Sequence, residues 1–138
     1  EIEKGLKLGI LENNIKNNEL LSNAYIMAKD FDNAVRSLVN VTKITNDPKY
    51  DYRIGQIQLQ NSKFEQAIEY FMIARNKGWN SKPGSIEMLL GVCYIEIEDF
   101  ENARVELNNA IKLGKESEAK PWLSYIDSTE SLRSAASR

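Results

Sequence analysis

Three six-residue stretches constrain the fold more than any other feature of the sequence, because they recur at a nearly constant interval. KDFDNA occupies residues 29–34, SKFEQA residues 62–67 and EDFENA residues 98–103. Each stretch places a phenylalanine three residues before an alanine, and the alanines are 33 and 36 residues apart. Self-similarity at this interval is typical of proteins in which one small structural unit stacks on the next. The sequence therefore predicts a repeat architecture.

Each stretch is predicted to begin a helix with a crowded inner face. A large apolar residue follows each alanine by four positions and a smaller one by seven, and such spacings keep side chains on one face of a helix. The three sets are Phe31, Ala34, Leu38 and Val41; Phe64, Ala67, Phe71 and Ala74; and Phe100, Ala103, Leu107 and Ala110. The alanines mark positions where a neighbouring helix comes too close for a larger side chain.

A second helix is predicted upstream of each of these, in residues 20–28, 53–60 and 89–97. The last two contain Gly55 and Gly91. Glycine destabilises a helix interior by about 1 kcal/mol relative to alanine, so both are expected to serve close helix packing. Asp30, Asp47 and Asp99 stand where N-caps are needed, and Pro48 suits a first helical position. Each repeat is therefore predicted to be a pair of antiparallel helices.

The ends of the chain extend this pattern. GLKLG at residues 5–9 resembles AIKLG at 110–114, so residues 1–9 are predicted to end an earlier repeat, with Gly9 and Gly114 as left-handed helix stops. The predicted organisation is one domain, with repeats at 15–48, 49–83 and 84–116 and a cap helix at 117–138. Trp122 is expected to anchor that cap. Terminal repeats need such a cap, because one stacking face would otherwise stay bare.

Composition narrows the functional classes. A net charge of −2 argues against a nucleic-acid-binding protein, and no apolar run approaches the ~18 residues of a membrane span. The chain has no histidine and one cysteine, so we predict no catalytic residue, no metal site and no cofactor. Cys93 lies in an apolar helical segment and is expected to be buried. The acidic run from Glu96 to Glu101 has no calcium-loop spacing and is interpreted as a solvated helix edge.

The repeats resemble the tetratricopeptide repeat (TPR) family, whose pattern includes W-x2-L-G-x2-Y, A-x3-F and P. The matching cores are LSNAY with A-x3-L, IGQIQ with A-x3-F, and LGVCY with A-x3-L, whereas Asn18, Asp51 and Glu87 replace the usual tryptophan. The resemblance implies an all-α fold, a right-handed solenoid of stacked antiparallel helix pairs with a C-terminal cap. It also implies a concave wall that binds a peptide or a partner helix. On this chain the predicted groove residues are Asn23, Lys49, Tyr52, Arg53, Gln56, Gln60, Met88 and Val92, with Glu19 and Glu96 on the same wall.

Tyr52 and Arg53 are the strongest candidates within that groove, since both lie on the middle repeat and neither is expected on the packing face. Lys49 and Arg53 are one helical turn apart, so together they could hold a carboxylate. Chaperone-type TPR modules bind C-terminal carboxylates with lysine, asparagine and arginine. Lys49, Arg53 and Asn23 match part of that set, but Glu19 does not fit it, and a solvated basic pair is the alternative. Trp79, in the loop that lengthens the second interval, either contacts a partner or folds back over the helix ends.

A narrower resemblance links the chain to periplasmic TPR proteins that accompany TonB-type energy-transduction systems of Gram-negative bacteria. It rests on the K-P-G loop at 82–84, the L-L-G at 89–91 and the W-L-S-Y-I of the cap. It implies a periplasmic accessory of such a complex, which meets the membrane only through its partners. Two alternatives stay open: a cytosolic co-chaperone or assembly adaptor, and a regulatory TPR tail of a larger enzyme. Self-association is a further possibility, and no nucleic acid is expected as a partner.

Overall fold

The computed structural model describes residues 2–137, and these form seven α-helices and no strand. The helices are α1 (Ile2–Met27), α2 (Phe31–Thr42), α3 (Pro48–Gln60), α4 (Phe64–Asn76), α5 (Ser85–Glu96), α6 (Phe100–Lys112) and α7 (Glu116–Ala136). The all-helical prediction is confirmed, and the second helix of each pair begins at the phenylalanine of the repeated stretch. Within residues 2–137 no helix is both long and apolar enough to cross a membrane.

The helices belong to two compact units. The first unit ends at Trp79 and contains α1–α4, in which α1 packs on α2, α2 on α3 and α3 on α4. The second unit begins at Asn80 and contains α5–α7, in which α6 packs on both α5 and α7. In each unit, helices that follow one another in sequence are therefore neighbours in space.

The helix starts follow the predicted capping chemistry. The carboxylate of Asp30 accepts a hydrogen bond from the backbone N–H of Asn33 (3.3 Å), and Asp99 accepts one from Asn102 (3.2 Å). Asp47 accepts from the N–H of Lys49 (3.0 Å). Because the first N–H groups of a helix have no partner within the helix, these side chains fix where α2, α6 and α3 begin.

The turn inside each helix pair ends the first helix in the same way. Lys29, Ser62 and Glu98 adopt left-handed backbone conformations, with φ of 59°, 58° and 62°. The next residue's N–H then bonds back to a carbonyl five residues earlier, as from Asp30 to Tyr25 (2.8 Å). This is a Schellman motif, and it satisfies carbonyls that the helix end leaves open.

The two predicted glycine stops have different outcomes. Gly114 follows α6 with φ of +96°, which confirms the prediction. Gly9 lies inside α1, which runs without a break from Ile2 to Met27, so the predicted stop is wrong. Glycine permits a left-handed turn but does not impose one, and the residues on both sides of Gly9 continue the helix. The assignment of residues 1–9 to an earlier repeat stays a prediction.

Small residues set the distance between paired helices. Ala34, Ala67 and Ala103 are completely buried, as expected for contact points between helices. A Cβ atom at Gly55 would lie 2.6 Å from a ring carbon of Phe71, and one at Gly91 would lie 2.7 Å from Leu107. Both distances are shorter than carbon atoms tolerate, so each glycine permits the close approach that the sequence predicted.

The last helix covers the second unit as predicted. Ala119 and Ile126 are fully buried against Leu107, and Trp122 packs against the same cluster. Surface ion pairs join α7 to α6, from Arg104 to Asp127 (2.7 Å) and Glu130. A further ion pair joins Arg133 of α7 to Glu98 in the turn between α5 and α6 (2.6 Å). The helix therefore has an apolar inner face and a charged edge.

Candidate functional site

A polar cleft of about 440 Å³ lies in the first unit, between α1 and α3. Helix α3 contributes residues of its first turns, α1 contributes one turn in its C-terminal third, and α2 contributes one apolar side chain. The lining residues are Glu19, Ser22, Asn23, Leu38, Lys49, Tyr50, Tyr52, Arg53 and Gln56. Five of the eight predicted groove residues are therefore brought together: Asn23, Lys49, Tyr52, Arg53 and Gln56.

Helix α3 presents two cations to this cleft. Lys49, Arg53 and Gln56 follow one another at intervals of four and three residues, which places them on one exposed face. Arg53 donates a hydrogen bond from Nη2 to Oδ1 of Asn23 across the cleft (3.2 Å). The ammonium of Lys49 lies 5.0 Å from the ring centre of Tyr50 and 3.9 Å from a carboxylate oxygen of Asp47. Both cations keep donor groups directed toward solvent.

The acidic residue of the cleft is already engaged. The hydroxyl of Tyr50 donates a hydrogen bond to Oε1 of Glu19, which joins α3 to α1. Burial, and then this bond to the Glu19 carboxylate, raises the pKa of Tyr50 above its usual range. The phenol therefore stays protonated at neutral pH and partly satisfies the carboxylate. Glu19 opposes an anionic ligand less than a free carboxylate would.

Tyr50 is a polar residue of the cleft that was not predicted from the sequence. It is 8% exposed and belongs to the apolar cluster around Ala34 and Ile54, yet its hydroxyl reaches the cleft. A signal was present, because Tyr50 directly follows Lys49 at the start of a predicted helix. Its pairing with Glu19, 31 residues away, could not be read from local spacing.

The hydroxyl of Ser22 is a second unexpected group in the cleft. Ser22 is 1% exposed, and among the described residues its Oγ atom has no hydrogen-bond partner. A buried hydroxyl without a partner destabilises the fold by about 1–3 kcal/mol. The cleft thus combines an unsatisfied polar group with two cations and two amide side chains.

Tyr52 differs from the sequence-based expectation. It is only 9% exposed, and its ring stacks on Trp79 with centroids 4.4 Å apart and an interplanar angle of 14°. Its ring also lies 5.8 Å from that of Phe71 on α4. The expectation that Tyr52 is away from the packing face is wrong, because α3 is covered by α4 on the side that Tyr52 faces. Only part of its edge reaches the cleft.

Trp79 folds back over the ends of α3 and α4, as one of its two predicted interpretations required. It is half-buried against Tyr52, next to an ion pair in which Lys77 Nζ lies 2.8 Å from a carboxylate oxygen of Asp51. Asp51 is 2% exposed and occupies the position where the TPR pattern has tryptophan. Contact of Trp79 with a partner stays a prediction, and one face of its ring is already occupied.

The other predicted groove residues lie elsewhere. Gln60 is an exposed residue at the end of α3, outside the residues that line the cleft. Met88 and Val92 are half-buried on α5 of the second unit, where Met88 packs against the core cluster of that unit. A single groove that contains all eight residues stays a prediction.

The structure also locates the residues considered for chemistry. Cys93 is completely buried, as predicted, and burial, followed by the charge of Glu96, raises the pKa of its thiol to about 12. It is therefore protonated and unreactive at neutral pH. Residues 2–137 contain no group of three or more side chains suited to hold a metal ion.

Helix pairs of this length, with close contacts at small residues and a capping helix, form an α-helical repeat fold. Residues 52–74, which include most of α3 and α4, match the family model for the tetratricopeptide repeat. No significant sequence match was found among curated proteins.

Solved structures share the fold at low sequence identity. The N-terminal domain of stress-induced protein-1 (STI-1) from C. elegans aligns with a TM-score of 0.73 and 12% identity, over 85% of this chain and 97% of that domain. MamA from AMB-1 aligns with a TM-score of 0.63 and 22% identity, over 73% of this chain. The TPR2B domain of yeast Sti1 in complex with pHsp70 aligns with a TM-score of 0.60 and 18% identity, over 83% of this chain and 91% of that domain. The chain thus spans about half of the length of MamA, since the MamA alignment covers 55% of the MamA chain.

Proposed function

We propose that this chain is a non-enzymatic protein–protein interaction module that binds an extended segment of a partner in the cleft between α1 and α3. The observation that carries the proposal is the row of exposed polar side chains that α3 presents there: Lys49, Arg53 and Gln56. The structure of the yeast Sti1 domain that shares the fold is of a complex with pHsp70. This likeness supports the proposal that the present chain also binds a partner.

The chemistry of the cleft favours an acidic segment. Lys49 and Arg53 are separated by one helical turn and can reach the same carboxylate, and hydrogen bonds between charged groups are stronger than those between neutral ones. Arg53 has further N–H groups besides the one bonded to Asn23, since a guanidinium carries five. Asn23 and Gln56 can then bond backbone groups of the bound segment. The buried hydroxyl of Ser22 would gain a partner only if a polar group enters fully.

A peptide-display experiment tests this proposal. Short random peptides are selected on the 138-residue chain, and the enriched sequences are measured by fluorescence anisotropy at two salt concentrations. We expect enrichment of aspartate and glutamate, with binding that weakens as salt rises. The double substitution Lys49→Ala and Arg53→Ala should weaken binding roughly tenfold or more.

Lys43 provides a matched control, because it is an exposed cation of the same unit that does not line the cleft. Lys43→Ala should bind the selected peptides as the unsubstituted chain does. Peptides without acidic residues that bind the double variant equally well would contradict the proposed site.

We further propose that the module serves as a periplasmic accessory of a TonB-type complex, on the basis of the K-P-G, L-L-G and W-L-S-Y-I motifs. Gly84 of the first motif has φ of +84°, and a Cβ there would lie 2.6 Å from Lys115, so this loop needs its glycine for the fold as well. Fractionation of the source cells, followed by affinity purification, tests the role. Recovery with TonB-system proteins from the periplasm supports it. Cytosolic recovery with chaperones, or covalent linkage to an enzyme domain, would favour one of the two alternatives.

A further inference from the structure

Helix α1 is apolar on two opposite faces. One face packs into the first unit, through Ile15, Tyr25 and Ile26. At about 100° per residue, a second set of residues falls within an arc of roughly 100° on the opposite side. We call the side chains of this set the outer stripe, and they are Ile2, Leu6, Ile10, Asn13, Asn17, Leu20, Ala24 and Met27; Gly9 lies in the same arc and has no side chain.

The outer stripe is exposed along the full length of the helix. Ile2, Leu6 and Ile10 are 84%, 64% and 59% exposed, and Leu20 and Met27 are 60% and 86% exposed. A helix of 26 residues is about 39 Å long, and the stripe consists of two exposed apolar segments, one in each half of the helix, on either side of Asn13 and Asn17. Exposed apolar surface of this kind on one helix face marks an interaction site.

The order of residues in the stripe indicates what covers it. Three apolar residues are followed by two asparagines and then by three more apolar residues, so the order is nearly the same in both directions. Two copies of α1 can lie antiparallel so that the numbers of each pair of facing residues sum to about 30. Ile10 then faces Leu20 of the second copy. Asn13 then faces Asn17 of the second copy. An interface in which a surface meets its own copy has this two-fold symmetry, whereas an unrelated partner helix does not require it.

The charges along the edge of the stripe agree with the same arrangement. Glu12 and Lys16 lie on one edge, and in the antiparallel alignment Glu12 of each copy lies within one helical turn of Lys16 of the other. Helix α1 carries three acidic and three basic residues, so two copies have no net repulsion. A pair of asparagines in an apolar seam also fixes register, because only one alignment lets the amides bond each other.

We propose that the chain forms a two-fold symmetric homodimer through antiparallel pairing of the outer stripe of α1. None of the stripe residues lines the proposed peptide cleft, to which α1 contributes Glu19, Ser22 and Asn23.

Sedimentation equilibrium of the whole 138-residue chain tests the dimer. We expect a dimer at concentrations of roughly 10 μM and above. Leu20→Lys should weaken association roughly tenfold or more, because it places a charge in the apolar seam. Leu8→Lys is the matched control: Leu8 is 58% exposed on the same helix but outside the stripe, so association should not change. Circular dichroism confirms that both variants fold.

Charge reversal tests the antiparallel register. Glu12→Lys alone and Lys16→Glu alone should each weaken the dimer, because each places like charges opposite each other. The double variant should recover the original association, since the pairs are restored with their signs exchanged. A chain that is monomeric throughout, a dimer unaffected by Leu20→Lys, or a double variant weaker than either single one would overturn the proposal. Selected peptides should still bind Leu20→Lys, which separates failure here from failure of the cleft.

Discussion

Two lysine–aspartate pairs in the first unit have the same N–O distance of 2.8 Å but opposite environments. In one, the Lys77 and Asp51 side chains are 21% and 3% exposed, and in the other the Lys63 and Asp32 side chains are 41% and 67% exposed. Removal of one partner from a buried pair destabilises a protein by about 3–5 kcal/mol, because the other charge stays buried without compensation. Removal from an exposed pair has an effect of at most about 1 kcal/mol.

We therefore predict that Lys77→Met lowers the free energy of unfolding by about 3–5 kcal/mol. Lys63→Met should lower it by no more than about 1 kcal/mol. The double variant Asp51→Leu with Lys77→Met should recover most of the loss, because an apolar pair of similar size removes the need to solvate a buried charge. Urea denaturation followed by circular dichroism measures all four proteins.

The comparison refutes the reasoning if Lys77→Met and Lys63→Met have equal effects. In that case Asp51 is not isolated from water as its 2% exposure implies. If Asp51→Leu with Lys77→Met is no more stable than Lys77→Met alone, the ion pair stabilises the fold by more than the cost of burying its two charges.

Four other substitutions or deletions test the structure by denaturation or sedimentation. Ala67→Leu should destabilise by about 1–3 kcal/mol through overpacking, and an unchanged thermal melt would contradict the close contact. Tyr52→Ala should lower the free energy of unfolding by about 3–5 kcal/mol, since the ring is packed between Trp79 and Phe71. A loss below about 1 kcal/mol would show that Tyr52 is not packed and would support its original assignment to the groove. The raised pKa of Tyr50 means that its unfolded form loses its proton first, so stability should fall as pH rises above about 10. Tyr50→Phe should flatten that alkaline decline, and an equal slope in both proteins would exclude Tyr50 as its cause. Deletion of residues 117–138 should cause aggregation by exposing the inner face of the second unit, so a deleted chain that stays monomeric and equally stable would contradict the cap.

The helices and their ends were predictable from the sequence because their signals are local. Asp30 and Asp99 cap helices within three residues of themselves, and Gly55 and Gly91 disturb helices in a way that only close packing explains. Gly9 shows the limit of such signals, because a glycine allows a helix to end without requiring it.

The cleft was predicted only in part, because its remaining features depend on contacts between distant residues. The face of α3 with Lys49 and Arg53 follows from spacing alone. Tyr52 could not be assigned to the packing side until Trp79 was known to return over α4. The bond from Tyr50 to Glu19 depends likewise on how α1 lies against α3.

The left-handed turns at Lys29, Ser62 and Glu98 imply that this chain could be stabilised by substitutions at positions that do not line the cleft. Ordinary residues in this conformation are strained by roughly 1–2 kcal/mol, and glycine would relieve the strain at an entropic cost of about 0.5–1 kcal/mol. The turns that follow α4 and α6 already contain a left-handed glycine, at Gly78 and Gly114. Glycine at the three strained turns would therefore make each helix pair harder to open, and the surface offered to a partner would stay the same.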